Sequence, residues 1–144
     1  MYIQEELRDK VERFMNISQK NMGDALGIEF LSFKKDEIKA SMPVNENTVQ
    51  PFGILHGGAS VALAETLASI GAWIQAGESE TAVGVEINAN HIRAISKGEK
   101  VIGTARPVKT GRKVHVWEVK IHTEAGKLVC VSRCTLMVVR RRES

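Results

Sequence analysis

Along the first twenty positions apolar residues recur at Ile3, Leu7, Val11, Phe14 and Ile17, the three- and four-residue spacing of one helical face. Gly23 and Gly27 bracket the end of that helix. Residues 28–33 and 37–42 follow as strands, the second alternating at Ile38, Ala40 and Met42, with Lys34-Lys35-Asp36 as the turn of a β-hairpin. Pro43 closes the second strand, and residues 44–56 read as a loop rich in Asn, Pro and Gly. At residues 58–75 the period changes, and Glu65 is the one charged side chain in an otherwise apolar and small-residue run. A helix with hardly any polar face is covered on most sides, and its many alanines let a sheet approach closely. After Gly77 come strand-like segments at 82–95, 101–108, 114–123 and 128–139, with turn signals at Lys97-Gly98, Thr110-Gly111 and Glu124-Ala125-Gly126. Long strands joined by short turns form an antiparallel sheet.

The expected fold class is therefore α+β: a curved antiparallel sheet wrapped around one long central helix, with an N-terminal helix. No linker, repeat or composition shift divides the 144 residues, so a single domain over 1–144 is expected. Lys plus Arg number 20 against 17 Asp plus Glu, spread along the chain except at Arg140, Arg141 and Arg142. There is no basic stripe interleaved with aromatics, which argues against a nucleic-acid partner; the three arginines read as a solvated tail. The longest apolar stretch, 59–74, is interrupted by Glu65 and is short for a membrane span. No secretory signal opens the chain. Cys130 and Cys134 fall in one strand, where their Cα atoms would lie about 13 Å apart, too far for a disulfide. No further zinc ligands flank them, so no metal is expected, and the compartment is read as the cytoplasm.

Glu65 is the anomaly. Its neighbours three and four positions away are Val61, Ala62, Ala68 and Ser69, and a buried carboxylate without partners is costly. It is either a core glutamate satisfied by a neighbouring strand or ordered water, or a functional acid. The loop ahead of the helix, Gln50-Pro51-Phe52-Gly53-Ile54-Leu55-His56-Gly57-Gly58, ends in two glycines whose N–H groups join the free donors at the helix start. Such donors stabilise negative charge developing on a carbonyl oxygen.

The run from Gln50 through His56-Gly57-Gly58-Ala59-Ser60-Val61-Ala62-Leu63-Ala64-Glu65, continued by Val83-Gly84-Val85-Glu86-Ile87-Asn88-Ala89-Asn90-His91, resembles the hotdog-fold thioesterases related to 4-hydroxybenzoyl-CoA and phenylacetyl-CoA thioesterases. Within them it is most similar to the branch that acts on 1,4-dihydroxy-2-naphthoyl-CoA in menaquinone synthesis. The resemblance implies hydrolysis of an acyl-CoA thioester, with coenzyme A part of the substrate and no separate cofactor. It implies that Glu65 is general base or nucleophile, that Gln50 orients substrate or water, that His56 supports the thioester end and that the Gly57 N–H polarises the carbonyl. Ser69 and Gly84 would line the substrate site, and His91, Arg93, Lys109, Gly111, Arg112 and Lys113 would meet the coenzyme A nucleotide, where basic side chains and turn N–H groups suit phosphates.

A dehydratase acting on 3-hydroxyacyl thioesters and a non-catalytic acyl-CoA-binding regulator are the competing readings, and neither an aryl nor an aliphatic acyl group is selected by the sequence. Helix geometry adds one constraint. Gly57 and Glu65 are eight positions apart, about 12 Å along a helix, so one chain cannot easily place both on the same carbonyl. A homodimer with shared sites is expected, and the resemblance implies that it pairs again into a homotetramer.

Overall fold

In the computed structural model, which describes residues 1–142, the N-terminal apolar stripe is split between sheet and helix. Tyr2–Ile3 (β1) is a two-residue strand, Glu5–Leu7 a 3₁₀ turn, and Arg8–Met15 (α1) the helix proper. Ile3 therefore belongs to the sheet and Ile17 lies beyond the helix, which is shorter than its pattern. The cause at the front is competition for backbone groups: Gln4 N–H donates to Phe33 O at 2.9 Å and its side chain accepts from Lys35 N–H. At the back, Asn16, Ser18 and Asn21 favour turns over helix. Asn21 then caps the short helix Met22–Ala25 (α2) in a reciprocal capping box with Asp24. Gly27, at φ 72°, turns the chain into the sheet.

The expected hairpin is present as Glu29–Lys34 (β2) and Glu37–Pro43 (β3). Gly57–Gln75 (α3) is the central helix, followed by Glu80–His91 (β4), Lys100–Thr110 (β5), Val114–Thr123 (β6) and Leu128–Arg140 (β7). The sheet order is β1-β2-β3-β5-β6-β7-β4, antiparallel throughout except for β1 beside β2. The strand expected over 82–95 ends at His91; Ile92 and Arg93 both donate to Val129 O, and Ile95 is buried from a loop instead. That loop in turn holds the segment leading into α3, through Leu55 N–H to Ile95 O at 2.8 Å and a bridge between Ile54 and Ser96.

The sheet curls around α3, burying Leu63, Ala64, Leu67 and Ala68 against β3 to β7. Small residues set the distance of approach. A Cβ on Gly71 would come within 2.6 Å of the Trp117 ring, and one on Gly103 within 2.6 Å of Leu67. The 19-residue α3 has the length and apolarity of a membrane span, but both follow from its burial in the sheet. Its C-terminal end is closed by Lys10, whose Nζ donates to Trp73 O at 2.7 Å and Ala76 O at 2.9 Å and lies 4.7 Å from the Trp73 ring centroid. Arg140 ends β7 and Arg141 N–H donates to Ser79 O, so the basic segment begins inside the sheet. Cys130 and Cys134 are free and buried.

Candidate active site

The loop before α3 is a tight, internally bonded structure. Thr48 Oγ1 donates to Pro43 O, Gln50 N–H donates to Ile54 O, and His56 N–H donates to Thr48 O. The Gln50 side-chain oxygen accepts from Phe52 N–H, and among the described residues the Gln50 amide NH₂ has no partner. His56 is the N-cap of α3: its Nδ1 accepts from Gly58 N–H at 2.7 Å, while its carbonyl takes the N–H groups of Ala59 and Ser60. The first N–H groups of a helix have no intrahelical acceptor. Among the described residues only that of Gly57 is left without one at this helix start. The His91 ring rests on Gly57, where a Cβ would come within 2.8 Å of Nε2. Gln50, Gly57, Ser60, His91 and Arg93 line a cleft of about 340 Å³.

Glu65 faces a different opening. It is half-buried rather than enclosed, and it lines a cavity of about 740 Å³ together with Ser69 and Gly84. Among the described residues no group hydrogen-bonds its carboxylate, so it is not a core glutamate satisfied by a neighbouring strand. Its Oε2 lies against the β4 backbone, where a Cβ on Gly84 would come within 2.5 Å. Behind it, burial with the charges of Glu65 and Glu86 pushes the Cys134 thiol up to about 12, so this sulfur is no nucleophile at neutral pH.

Gly84 and His91 are seven positions apart, and in an uninterrupted strand they would face opposite sides of the sheet. The pairing of β4 with β7 shifts between Gly84 and Glu86. This bulge inserts Val85 as an extra residue and restores the parity, so Gly84 reaches Glu65 and His91 reaches Gly57 on the same side. The isolated glycine inside a strand pattern was the available signal.

The cationic residues divide in the same way. Arg93, whose Nε donates to Leu128 O, shares a cleft with Lys100 and Lys127, two residues the sequence did not single out. Lys109, Gly111, Arg112 and Lys113 lie at the β5–β6 turn, the opposite end of an eleven-residue strand, roughly 30 Å away. One protomer does not bring the two groups together. Through Val114 beside Met137 and Met137 beside Val83, the turn sits on the Gly84 and Glu65 side. Each chain thus carries two separated sets: Gln50, His56, Gly57, His91 and Arg93 at one end of α3, and Glu65, Ser69 and Gly84 further along it with the β5–β6 turn beyond. Sequence reasoning also missed Met15 and Met22, which line the Glu65 cavity; Met15 falls off the helical stripe, the one hint of a second surface.

The fold and sequence have counterparts among known proteins. The model of the thioesterase superfamily matches residues 52–130. The 1,4-dihydroxy-2-naphthoyl-CoA hydrolase of Escherichia coli is 40% identical over 129 residues, covering 90% of this chain and 94% of that protein. A thioesterase from Haemophilus influenzae superposes with a TM-score of 0.82 at 45% identity, over 94% of this chain and 92% of that one. A Staphylococcus aureus thioesterase, at TM-score 0.79 and 33% identity over 83% of this chain and 98% of that one, has been crystallised with a glutamine and, separately, a glutamate replaced by alanine. Those two residues are fifteen positions apart, as Gln50 and Glu65 are. Matched over more than half its length by one family and nearly end to end by a relative within it, the chain belongs to the hotdog-fold thioesterase superfamily and is a thioester hydrolase.

Proposed function

We propose that the chain hydrolyses acyl-CoA thioesters, with aryl-CoA as the substrate class, at sites assembled from two copies. The observation that carries this is the Glu65 carboxylate, which among the described residues is unpaired on the wall of a cavity and separated along α3 from the one N–H of the helix start left without an acceptor. Within β4, a twofold axis near Asn88 would pair the free edge of the strand with its copy and set the Gly84–Val85 step of one chain opposite the other's His91. Glu65 of one chain then comes toward Gly57 of its partner. The β5–β6 turn with Lys109, Gly111, Arg112 and Lys113 approaches the other chain's Arg93, joining both cationic groups on one nucleotide. A further pairing of such dimers gives the tetramer that the family resemblance implies.

In this site the Gly57 N–H holds the thioester oxygen as negative charge develops on it. Glu65 either takes a proton from water as the water attacks the carbonyl carbon, or attacks that carbon itself to give a mixed anhydride that water then opens. Both routes break the C–S bond and release the acid and coenzyme A thiol. Gln50 orients the water or substrate through its free amide, His56 and His91 border the thioester, and Ser69 borders the acyl group. Coenzyme A arrives as part of the substrate and leaves as the free thiol, and the chemistry calls for no cofactor. The E. coli relative's name makes 1,4-dihydroxy-2-naphthoyl-CoA the first acyl-CoA to try, and the family resemblance ties that substrate to menaquinone synthesis. In a panel of acyl-CoAs followed by thiol release, Glu65→Gln is expected to lower kcat by about a hundredfold or more with the fold intact. Near-normal turnover in that variant, or formation of an enoyl thioester instead of free thiol, would overturn the reading.

A further inference from the structure

At the head of β6 one buried titratable side chain takes no part in the proposed hydrolysis. His115 is 4% exposed and stands opposite Thr110, the last pair of the β5–β6 ladder below the turn. Two positions on, and so on the same face of the strand, Trp117 is fully buried with its ring against Gly71 of α3. The Trp117 indole N–H donates to His115 Nδ1 at 3.2 Å. An indole can only donate, so Nδ1 is the bare nitrogen and the neutral ring carries its proton on Nε2. The Gly111 carbonyl is the group that favours a proton on this ring, and the Gly111 N–H donates to Val114 O at 2.9 Å across the turn. A line of contacts thus runs from α3 through Trp117 and His115 to the turn. We infer that His115 is a positioning residue for this turn: as the neutral ring it anchors the backbone that carries Lys109, Arg112 and Lys113, in the pose that captures the nucleotide phosphates of coenzyme A.

The inference rests on the reading that this turn meets the nucleotide, and it adds what holds the turn in place. Lys109, Arg112 and Lys113 are exposed and make no ion pair among the described residues, so their placement comes from the backbone beneath them. A turn of glycine and long cations has much conformational freedom to lose on binding, and fixing it beforehand through buried groups reduces that loss. The support lasts only while the ring is neutral. A second proton, on Nδ1, removes the acceptor for Trp117 and places a cation in the sheet interior. Nothing around the ring offers that cation a counter-charge among the described residues. Thr110 faces it from β5 and Leu136 from β7, α3 carries no charge from Thr66 to Gln75, and the turn contributes the cations Lys109, Arg112 and Lys113. Burial lowers the pKa of His115 from the usual histidine range. The support is therefore complete above about pH 6.5, the ordinary histidine value, and is lost as pH falls through the lowered one.

The test compares His115→Gln with His115→Phe in the full chain, with free coenzyme A and pantetheine as calorimetric probes. Glutamine keeps an oxygen to accept from Trp117 and an N–H to donate, and does not titrate; phenylalanine fills the space and offers neither. At pH 7.5 His115→Phe is expected to raise the Kd of coenzyme A about tenfold, with His115→Gln within roughly twofold of wild type. Pantetheine, which lacks the nucleotide, should bind all three alike. In acyl-CoA hydrolysis the loss should appear in KM more than in kcat. Between pH 7.5 and 5.5 the wild-type Kd for coenzyme A should rise more steeply than that of His115→Gln, whose slope reports the ligand phosphates and every other group. Should His115→Phe not fold, the comparison of these two slopes still decides. Equal losses in both variants, equal shifts for both probes, or superimposable pH profiles overturn the inference. A changed oligomeric state in place of a changed Kd overturns it too, since His115 would then serve assembly. Acyl-CoA cleaved with every Kd unchanged sinks this inference alone; coenzyme A bound with the expected shifts but no acyl-CoA cleaved sinks the hydrolytic reading and leaves His115 its role.

Discussion

A single methyl group on Gly84 would reach into the Glu65 carboxylate, since the added Cβ falls 2.5 Å from Oε2. Gly84 has no positive φ, so alanine is tolerated by the backbone and the contact alone decides the outcome. Gly84→Ala is expected to displace the carboxylate and lower kcat by about ten- to a hundredfold, the order of loss for a misplacement near 1 Å. The melting temperature should move little, because the glutamate can swing into its open cavity. Activity close to wild type would show that the carboxylate does not work where it now lies. The charge of Glu65 was legible as a break in an apolar run. Its contact with Gly84 was not, because the two are joined through a bulge whose register no local pattern records. His56 shows the opposite case: a histidine read for its chemistry also proves to be the helix cap, with only Nε2 left for substrate.

Among the elements, α3 depends most visibly on a residue far from it in sequence. Lys10, on α1, donates to three carbonyls at the α3 end and covers Trp73; burial lowers its pKa from the usual lysine range. Lys10→Met keeps the packing of the stem and removes the cap, and should lower stability by about 1–2 kcal/mol in a denaturant melt, with kcat unchanged. A loss of activity without a loss of stability would show that Lys10 acts on the site instead. The strands after α3 were legible because alternation and turn residues coincide there: 114–123 was read with the bounds the structure has. The N-terminal stripe misled because Ile3 satisfies a helical period while its backbone is claimed by the sheet. Ile95 misled because a loop residue can be as buried as a strand residue. In β4, one inserted residue decides which positions face α3, so the facing of Gly84 was beyond reach of a simple alternation but the glycine marking the insertion was in plain view.

At the scale of the molecule, among the described residues β4 pairs with β7 on one side only and carries its other edge free along twelve residues. If two chains complete each other's sites along that edge, Glu65→Ala and Gln50→Ala chains, each inactive alone, should regain activity when refolded together. One site then collects both defects and the other is wholly native, so verified mixed dimers would show about half the wild-type turnover per dimer, by the symmetry of a twofold pair. Mixed dimers that stay inactive would mean that each chain builds its own site. The free edge also has a cost outside catalysis. Val83 and Val85 are exposed on it, and a bare strand of that length accepts any other strand edge, not only its own copy's. A substitution that weakens pairing is therefore expected to turn the protein into a precipitate before it yields a stable lone chain, so solubility on expression reports assembly as directly as activity does.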